Sequence, residues 1–405
     1  MHNTHARNTV RYYVLIVAVL AFLFFSNDFG LIDVQKTAIV MAAGVDREGD
    51  EFIVTSQIAV PQSSKQGKAT EAVQIVSRGE TVAEAFEEIN AKTGWYPKLV
   101  FCKLIVLGEE TAKQNVFDAL DYFLLDEYLT DNCLVATCDG TAQELLNTTA
   151  LVDPSSSVAI GKVLSAHAER VGTVLTSTLR SFAIGFFGDS KSGFLPVVRT
   201  EKQQEESNAP TPTAAASEGS DSGQSGGKSK EGTPTDKPVF SAGETALFVG
   251  GKRVATLTAE ETFAYSIIEN ELQLAPYTVT VSENVCTLII KQNSPKIGLK
   301  VGQDGRANLQ IRVNVTAGLL DYSKTLPVEK IADIGNVPDG VFAAAEKKLA
   351  GEIHSVFEKT RACGCDIFGV QDMLVKNESR KLRRFKDTIL SNTNADVTVK
   401  FRNVR

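Results

Sequence analysis

Apolar and polar positions divide the chain into one uninterrupted apolar run, two mixed regions and one segment without large apolar residues. The apolar run extends from Tyr12 to Phe25 without a charged residue, and Arg7 and Arg11 precede it. Arginines before an apolar stretch at the extreme N terminus are typical of a targeting segment. As a helix the run would cover about 21 Å, so it needs the apolar residues that follow, up to position 32, to approach the ~30 Å hydrocarbon core.

Three interpretations of this run are open: a signal anchor, a cleaved signal peptide and a buried core helix. An uncleaved anchor is favoured because no small-x-small cleavage site follows the apolar run. The positive-inside rule then places residues 1–11 in the cytoplasm, residues 12–32 in the membrane as a single pass, and the remaining chain outside. The predicted membrane-anchor residues are Tyr12, Leu15, Val19, Phe22 and Phe25.

Residues 200–238 contain no Val, Ile, Leu, Met or aromatic residue. A tract so poor in apolar groups cannot offset the entropy of ordering its backbone, so we predict a disordered linker. We therefore expect an N-terminal α/β domain at 33–150, a middle domain or extension at 151–199, and a C-terminal α+β domain at 239–405.

Both regions beside the linker mix strand-period and helix-period patterns. The first is predicted to hold a hairpin at Ala38–Val45 and Phe52–Val60, strands at Leu99–Leu107 and Cys133–Cys138, and helices at Glu109–Leu125 and Val163–Arg170. Capping boxes that begin with Thr81, Thr141 and Thr258 predict three helix starts.

The second region is predicted to begin with a hairpin around Gly250-Gly251, and a later helix carries an apolar stripe from Phe342 to Val356. Its further strand candidates are 278–281, 286–291, 297–301, 309–316 and 397–401. Helices interleaved with mainly antiparallel or mixed strands indicate an α+β fold of several mixed α/β domains, preceded by one N-terminal membrane helix.

Composition narrows the possible functions. The chain has 405 residues, of which 43% are hydrophobic, and this fits two or three folded domains. A net charge of −7 gives no global attraction for nucleic acid, so no nucleic-acid partner is expected. The six cysteines form no C-x-x-C pair and are expected to be buried free thiols.

Motifs for catalysis, cofactors and metals are not found, so the sequence predicts a non-enzymatic protein without catalytic, cofactor-binding or metal residues. Only His167 and His354 fall in the folded regions; His167 is expected to be a hydrogen-bonded core residue and His354 a solvated one. The basic run from Lys376 to Lys386 is interpreted as a solvated helix face, with anionic lipid or an acidic partner as the functional alternative.

A series of short motifs runs in order through both regions. Before the linker they are Ala38–Val40, Ala43–Asp46, Val54–Pro61, Gly79–Thr81, Leu107–Ala112 and Asp121–Asp126. Beyond the linker they are Gly243–Phe248, Leu257–Thr262 and Cys365–Gly369. In order and spacing this series resembles the Ger(x)C family, the C subunits of spore germinant receptors, over nearly the whole chain.

The resemblance implies a non-enzymatic subunit on the outer face of the spore inner membrane. It also implies partners: a polytopic A-type subunit, a B-type membrane subunit and the lipid bilayer, while contact with a small-molecule germinant is left open. Family members usually carry a lipobox cysteine near the position of Asp28, whereas the first cysteine here is Cys102. The apolar run itself is therefore expected to hold the protein. The alternative is a free-standing extracytoplasmic cell-envelope binding protein.

Overall fold

The computed structural model describes residues 12–21, 37–59, 72–149, 153, 155–201, 238–269, 271–281, 284–322, 337–338, 340–377 and 382–404. The strands are β1 (Thr37–Glu48), β2 (Glu51–Ala59), β3 (Ala72–Gly79), β4 (Tyr96–Lys98), β5 (Leu104–Leu107), β6 (Leu134–Cys138), β7 (Ser192–Glu201), β8 (Val239–Val249), β9 (Lys252–Leu257), β10 (Ala275–Val281), β11 (Asn284–Val301), β12 (Ala307–Tyr322) and β13 (Thr393–Asn403).

The first helix, α1, covers 12–21. The others are α2 (Val82–Thr93), α3 (Glu109–Lys113), α4 (Phe117–Leu125), α5 (Ala142–Asn147), α6 (Ser156–Val163), α7 (Ala166–Arg170), α8 (Leu179–Phe187), α9 (Ala259–Glu269), α10 (Val341–Cys363), α11 (Val370–Asn377) and α12 (Lys386–Ile389), with a 3-10 turn at Leu382–Phe385. Helices and mixed sheets confirm the predicted α+β class.

The larger sheet has the strand order β3-β2-β1-β5-β6-β7-β8-β9, with β4 beside β1. Its centre is parallel, because β1, β5, β6 and β7 run in one direction, and both of its margins are antiparallel. Apolar side chains from α2, α3, α4 and α8 pack on one face, and those from α5 and α6 pack on the other. Strands covered on both faces explain the continuous apolar run in β5 and the nearly continuous one in β6.

The strands that flank the polar segment are hydrogen-bonded neighbours in this sheet. β7 pairs with β8 in antiparallel register from Ser192↔Val249 to Glu201↔Val239. Residues 202–237, most of the predicted linker, lie outside the described residues. The predicted division into domains stays a prediction. The larger sheet contains strands from both sides of the predicted linker, because β8 and β9 follow the linker in the sequence.

The smaller sheet has the order β10-β11-β12-β13, with β13 parallel to β12. The apolar stripe of α10, including Leu349, Ile353 and Val356, packs on one face of this sheet together with side chains from α9 and α11. The opposite face is exposed, because alternate residues along β12 and β13 are buried and solvent-facing.

Some predicted elements have other bounds than expected. The predicted helix Glu109–Leu125 is two helices, because Gln114 is extended and the Asn115 side chain accepts a hydrogen bond from the Phe117 N–H at 3.3 Å. The predicted helix through Val163–Arg170 is likewise divided between α6 and α7. The strand candidates 286–291 and 297–301 form one strand, β11. Its Pro295 lies beyond the last residue paired with β10, Ile290, so β11 is an edge strand at that position, and edge strands tolerate proline.

Candidate interaction surface

The predicted membrane-anchor residues fall only partly within the described chain. Tyr12, Leu15 and Val19 lie on α1 with exposed side chains, whereas Phe22 and Phe25 lie outside the described residues. Within the described ranges, no helix has the length and apolar character needed to cross a bilayer. The anchor thus stays a prediction from the sequence.

Several strands of the larger sheet begin or end at the same end of the sheet, where its central parallel strands start. β1 begins at Thr37 beside Tyr96 of β4, and β5 and β6 begin side by side at Leu104 and Leu134. β2 ends and β3 begins at this same end, because Ala59 pairs with both Ile39 and Ala72. The loops and helix starts at this end surround Thr37, the first described residue after α1.

Large apolar side chains are exposed around this end. We call them the apolar end surface: Val73, Trp95, Tyr96, Val100, Phe101 and Val158. Phe101 is 55% exposed and Trp95 is 44% exposed. Exposed apolar residues are usually scattered singly over a protein surface, whereas these lie at the same end of one sheet. A cluster of this kind marks an interaction site with a protein, a membrane or a ligand.

A cavity of about 590 Å³ opens within this surface, between the sheet and α6. Its apolar lining includes Ile39, Met41, Phe101, Leu134 and Val158. Lys103 and Lys162 are the basic residues of the lining, and Lys162 is paired with Asp153. A second cavity of about 260 Å³ lies on the other side of Ala59 and includes Trp95. The arrangement can hold apolar groups with few polar contacts.

Asp46, the acidic residue of the motif Ala43–Asp46, holds a distant helix in place. Its carboxylate accepts hydrogen bonds from the N–H groups of Ala142 at 2.7 Å and Gln143 at 2.9 Å, the first two residues of α5. These are N–H groups that a helix cannot satisfy internally. Burial raises the pKa of Asp46 above its ordinary value, although the two backbone donors oppose the shift.

Two motif glycines make room for this contact. A Cβ atom at Gly108 would lie 1.9 Å from Oδ1 of Asp46, and one at Gly44 would lie 3.0 Å from Cβ of Ala142. The motifs around Asp46 and Gly108 are therefore explained by packing of α5 against β1.

Gln57, from the motif Val54–Pro61, makes the corresponding contact with α6. Its side-chain carbonyl accepts from the Ser157 N–H at 3.1 Å, and its amide donates to Oγ of Ser156 at 3.0 Å. Gln57 and both serines are buried. Because Val158 follows Ser157 directly, Gln57 fixes the part of α6 that contributes to the apolar end surface.

Asp366, from the motif Cys365–Gly369, accepts hydrogen bonds from the first residues of α11 and connects both sides of the linker. Its carboxylate accepts from the N–H groups of Val370 at 2.8 Å and Gln371 at 2.7 Å. Its own N–H donates at 2.9 Å to Oγ of Ser192, which lies in β7. Burial raises the pKa of Asp366, as it does for Asp46.

Other residues singled out in the sequence have structural or solvated positions. His354 is exposed as predicted, but His167 is also exposed on the short helix α7, so its prediction as a core residue was wrong. Within the described chain, the five buried cysteines and the half-buried Cys363 are all free thiols, as expected. Groups of three or more potential metal ligands are not found there.

The described cations of the basic run lie on three separate elements rather than on the predicted single helix face, and Arg380 and Lys381 lie outside the described residues. Lys376 lies in the last turn of α11 beside Asp372, and Lys386 begins α12 with an ion pair to Asp189 at 2.6 Å. Arg383 and Arg384 lie in the 3-10 turn between these helices, so these four cations belong to three different elements.

Two family profiles match most of the chain. The profile described as "Spore germination protein N-terminal domain" matches residues 31–200, and that described as "Spore germination B3/ GerAC like, C-terminal" matches residues 243–405. The protein is thus of the spore germination class. Within that class the chain belongs to the Ger(x)C family, the germinant receptor C subunits, as its motifs predicted. Receptor subunits of this family are generally non-catalytic.

Individual relatives agree with this assignment. "Spore germination protein B3" of Bacillus subtilis (strain 168) is 27% identical over 119 residues, which are 28% of this chain and 31% of that protein. The matched part is thus less than a third of that relative's length. The crystal structure of the GerBC protein superposes with a TM-score of 0.52 at 17% identity, covering 89% of this chain and 96% of that one. This likeness shows the shared fold.

Proposed function

We propose that this protein is a membrane-anchored, non-enzymatic subunit of a spore nutrient germinant receptor. Residues 12–32 would hold it as a single pass in the spore inner membrane, with the body on the outer face. The apolar end surface would dock on the A-type and B-type membrane subunits. The observation that carries this proposal is the cluster of exposed aromatic and aliphatic side chains at the end of the sheet where the body begins.

The position of this surface supports docking close to the membrane. The strand β1 begins at Thr37, and with an anchor at residues 12–32 only four residues would separate it from the membrane. Four residues reach at most about 14 Å, so the strand ends around Thr37 would stay close to the anchor. Trp and Tyr side chains are also favoured where a protein meets the membrane interface or a membrane-embedded partner.

Copurification with the receptor subunits tests the proposal. Trp95→Ser combined with Phe101→Ser should lower recovery of the A-type and B-type subunits with this protein about tenfold, the effect of losing an aromatic contact centre in an interface. Membrane fractionation of the same cells should show unchanged membrane association, because the anchor is intact.

Phe187→Ser is the matched control. Phe187 is 69% exposed and contacts Phe186, which lies beside the β8–β9 turn rather than at the apolar end surface. It should leave recovery unchanged. Wild-type recovery with the double variant, at equal protein level, would contradict docking through this surface.

The cavity of about 590 Å³ favours a second candidate, a free-standing envelope protein that binds an apolar small molecule. A wild-type protein that purifies without receptor subunits and binds such a solute through Phe101 would support this alternative.

A further inference from the structure

The exposed face of the smaller sheet carries a band of positive charge. We call it the basic band: Lys296 and Lys300 on β11, Arg312 on β12, and Lys400 and Arg402 on β13. The strand register brings them together, because Lys296 pairs with Arg312, Arg312 with Thr398, and Asn314 with Lys400. All five side chains face solvent.

The charges of the band are uncompensated. In the part of the chain that the structure describes, none of the five cations makes an ion pair or a side-chain hydrogen bond. Asp396 is the one carboxylate at the outward positions of 292–300, 308–316 and 394–402. The band thus has a local excess of four positive charges on a chain whose net charge is −7. Such segregation indicates an anionic partner.

The remaining outward positions distinguish between kinds of partner. Between the cations lie amide and hydroxyl side chains, among them Asn308, Gln310 and Thr398, and these positions hold no aromatic or large aliphatic residue. Stable protein interfaces are centred on buried aromatic and aliphatic anchors, which this face lacks at its centre. The face does become apolar at one end, where Val404 and Ile289 flank Gly318.

We propose that the basic band lies against the anionic headgroups of the membrane that holds the protein. A cationic sheet face with a small apolar tip is complementary to an anionic lipid surface, which attracts Lys and Arg within about a Debye length. This inference rests on the proposed anchoring, because tethering keeps the band at high effective concentration near the bilayer. It gives the smaller sheet a role distinct from docking through the apolar end surface.

Amine footprinting of the full-length protein in vesicles tests this. Acetylation of Lys296, Lys300 and Lys400 should be about fivefold slower in vesicles of phosphatidylglycerol and phosphatidylcholine than in phosphatidylcholine alone, and 1 M salt should remove the difference, since it shortens the Debye length to about 3 Å. Lys347, exposed on α10 on the other side of the sheet, is the internal control and should react equally in both.

Charge reversal provides the second measurement. Lys296→Glu combined with Arg312→Glu should abolish the protection of Lys300 and Lys400, whereas Lys347→Glu should preserve it. Equal acetylation of the band in both vesicle types would overturn the proposal. Protection that appears only when purified receptor subunits are added would also overturn it, in favour of an acidic protein surface. Flotation with phosphatidylcholine vesicles measures anchoring separately. A failure of the proposed anchoring can therefore be distinguished from a failure of the proposed contact between the basic band and the headgroups.

Discussion

Asp46, Gln57 and Asp366 meet the same physical need at three helix starts. Each is buried and accepts N–H groups from the first turn of a helix, and for α5 and α6 the partner is about 100 residues away in the sequence. Side-chain acceptors at a helix start satisfy donors that would otherwise be buried without partners. These family motifs therefore fix the packing of helices on sheets.

Removing the Asp46 carboxylate should destabilise the protein. Asp46→Ala leaves one buried and one half-buried N–H group of α5 without this acceptor, and we expect the free energy of unfolding to fall by about 2–3 kcal/mol in urea denaturation. Asp50→Ala, in the exposed turn of the same hairpin, should change it by less than about 0.5 kcal/mol. Equal effects of the two variants would contradict the assigned role.

The raised pKa of Asp46 adds a pH dependence to this prediction. The folded chain holds the Asp46 proton at higher pH than the unfolded chain, where the pKa is near 3.8. Stability contributed by this group is therefore lost as pH rises from 3.8 through the raised pKa. Over that window the wild type should lose stability relative to Asp46→Asn, and a relative gain would show the opposite shift.

Local patterns predicted individual elements well where neighbouring residues decide the structure. The capping box at Thr258 forms as expected, with its N–H donating to Glu261 and its hydroxyl accepting from the Glu261 N–H. The hairpins β1–β2 and β8–β9 also form as predicted. The pattern failed at Glu109–Leu125, because apolar spacing continues through the break at Gln114 that the Asn115 side chain stabilises.

The pairing of β7 with β8 leads to a prediction for the polar segment. Its flanking strands already end as a matched pair at Glu201↔Val239, so a short turn can replace residues 202–237. Shortening the connection to about four residues should raise the free energy of unfolding by up to about 2 kcal/mol, because loop-closure entropy grows with the logarithm of loop length.

Urea denaturation of the full-length and shortened proteins measures this difference. Inserting an equal number of Gly and Ser residues at the Asp50 turn is the matched control, since it should lower stability through the same entropy term. A shortened protein that is less stable than the wild type would show that residues 202–237 contribute stabilising contacts of their own.

The basic band and the apolar end surface form only when the whole chain is folded, because their residues are far apart in the sequence. Lys300, Arg312 and Arg402 come from three strands, and within each strand the intervening residues face the core. The sequence showed a basic run only where six cations lie within eleven residues, at Lys376–Lys386. Surfaces formed by alternate residues of strands far apart in the chain depend on register, which local pattern does not determine.

Contacts across the linker also decide how the molecule can be divided. Phe248 of β8 packs edge-on against Phe182 of α8 at a ring distance of 5.3 Å, within the core of the larger sheet. A fragment of residues 37–200 lacks this ring and leaves β7 as an exposed edge, which favours association with other chains. A fragment of residues 37–258 retains β8 and β9.

We therefore expect the 37–258 fragment to be monomeric in size-exclusion chromatography and the 37–200 fragment to self-associate. In urea, the longer fragment should be more stable by about 3 kcal/mol or more, the usual cost of losing one buried phenylalanine. Phe248→Ala in the longer fragment separates the two causes, because it removes the ring but keeps the strand pairing. If Phe248→Ala lowers stability to the same extent without causing self-association, then the ring provides the stability and β8 protects β7 from pairing with other chains. Identical behaviour of both fragments would mean that the larger sheet is complete without β8 and β9.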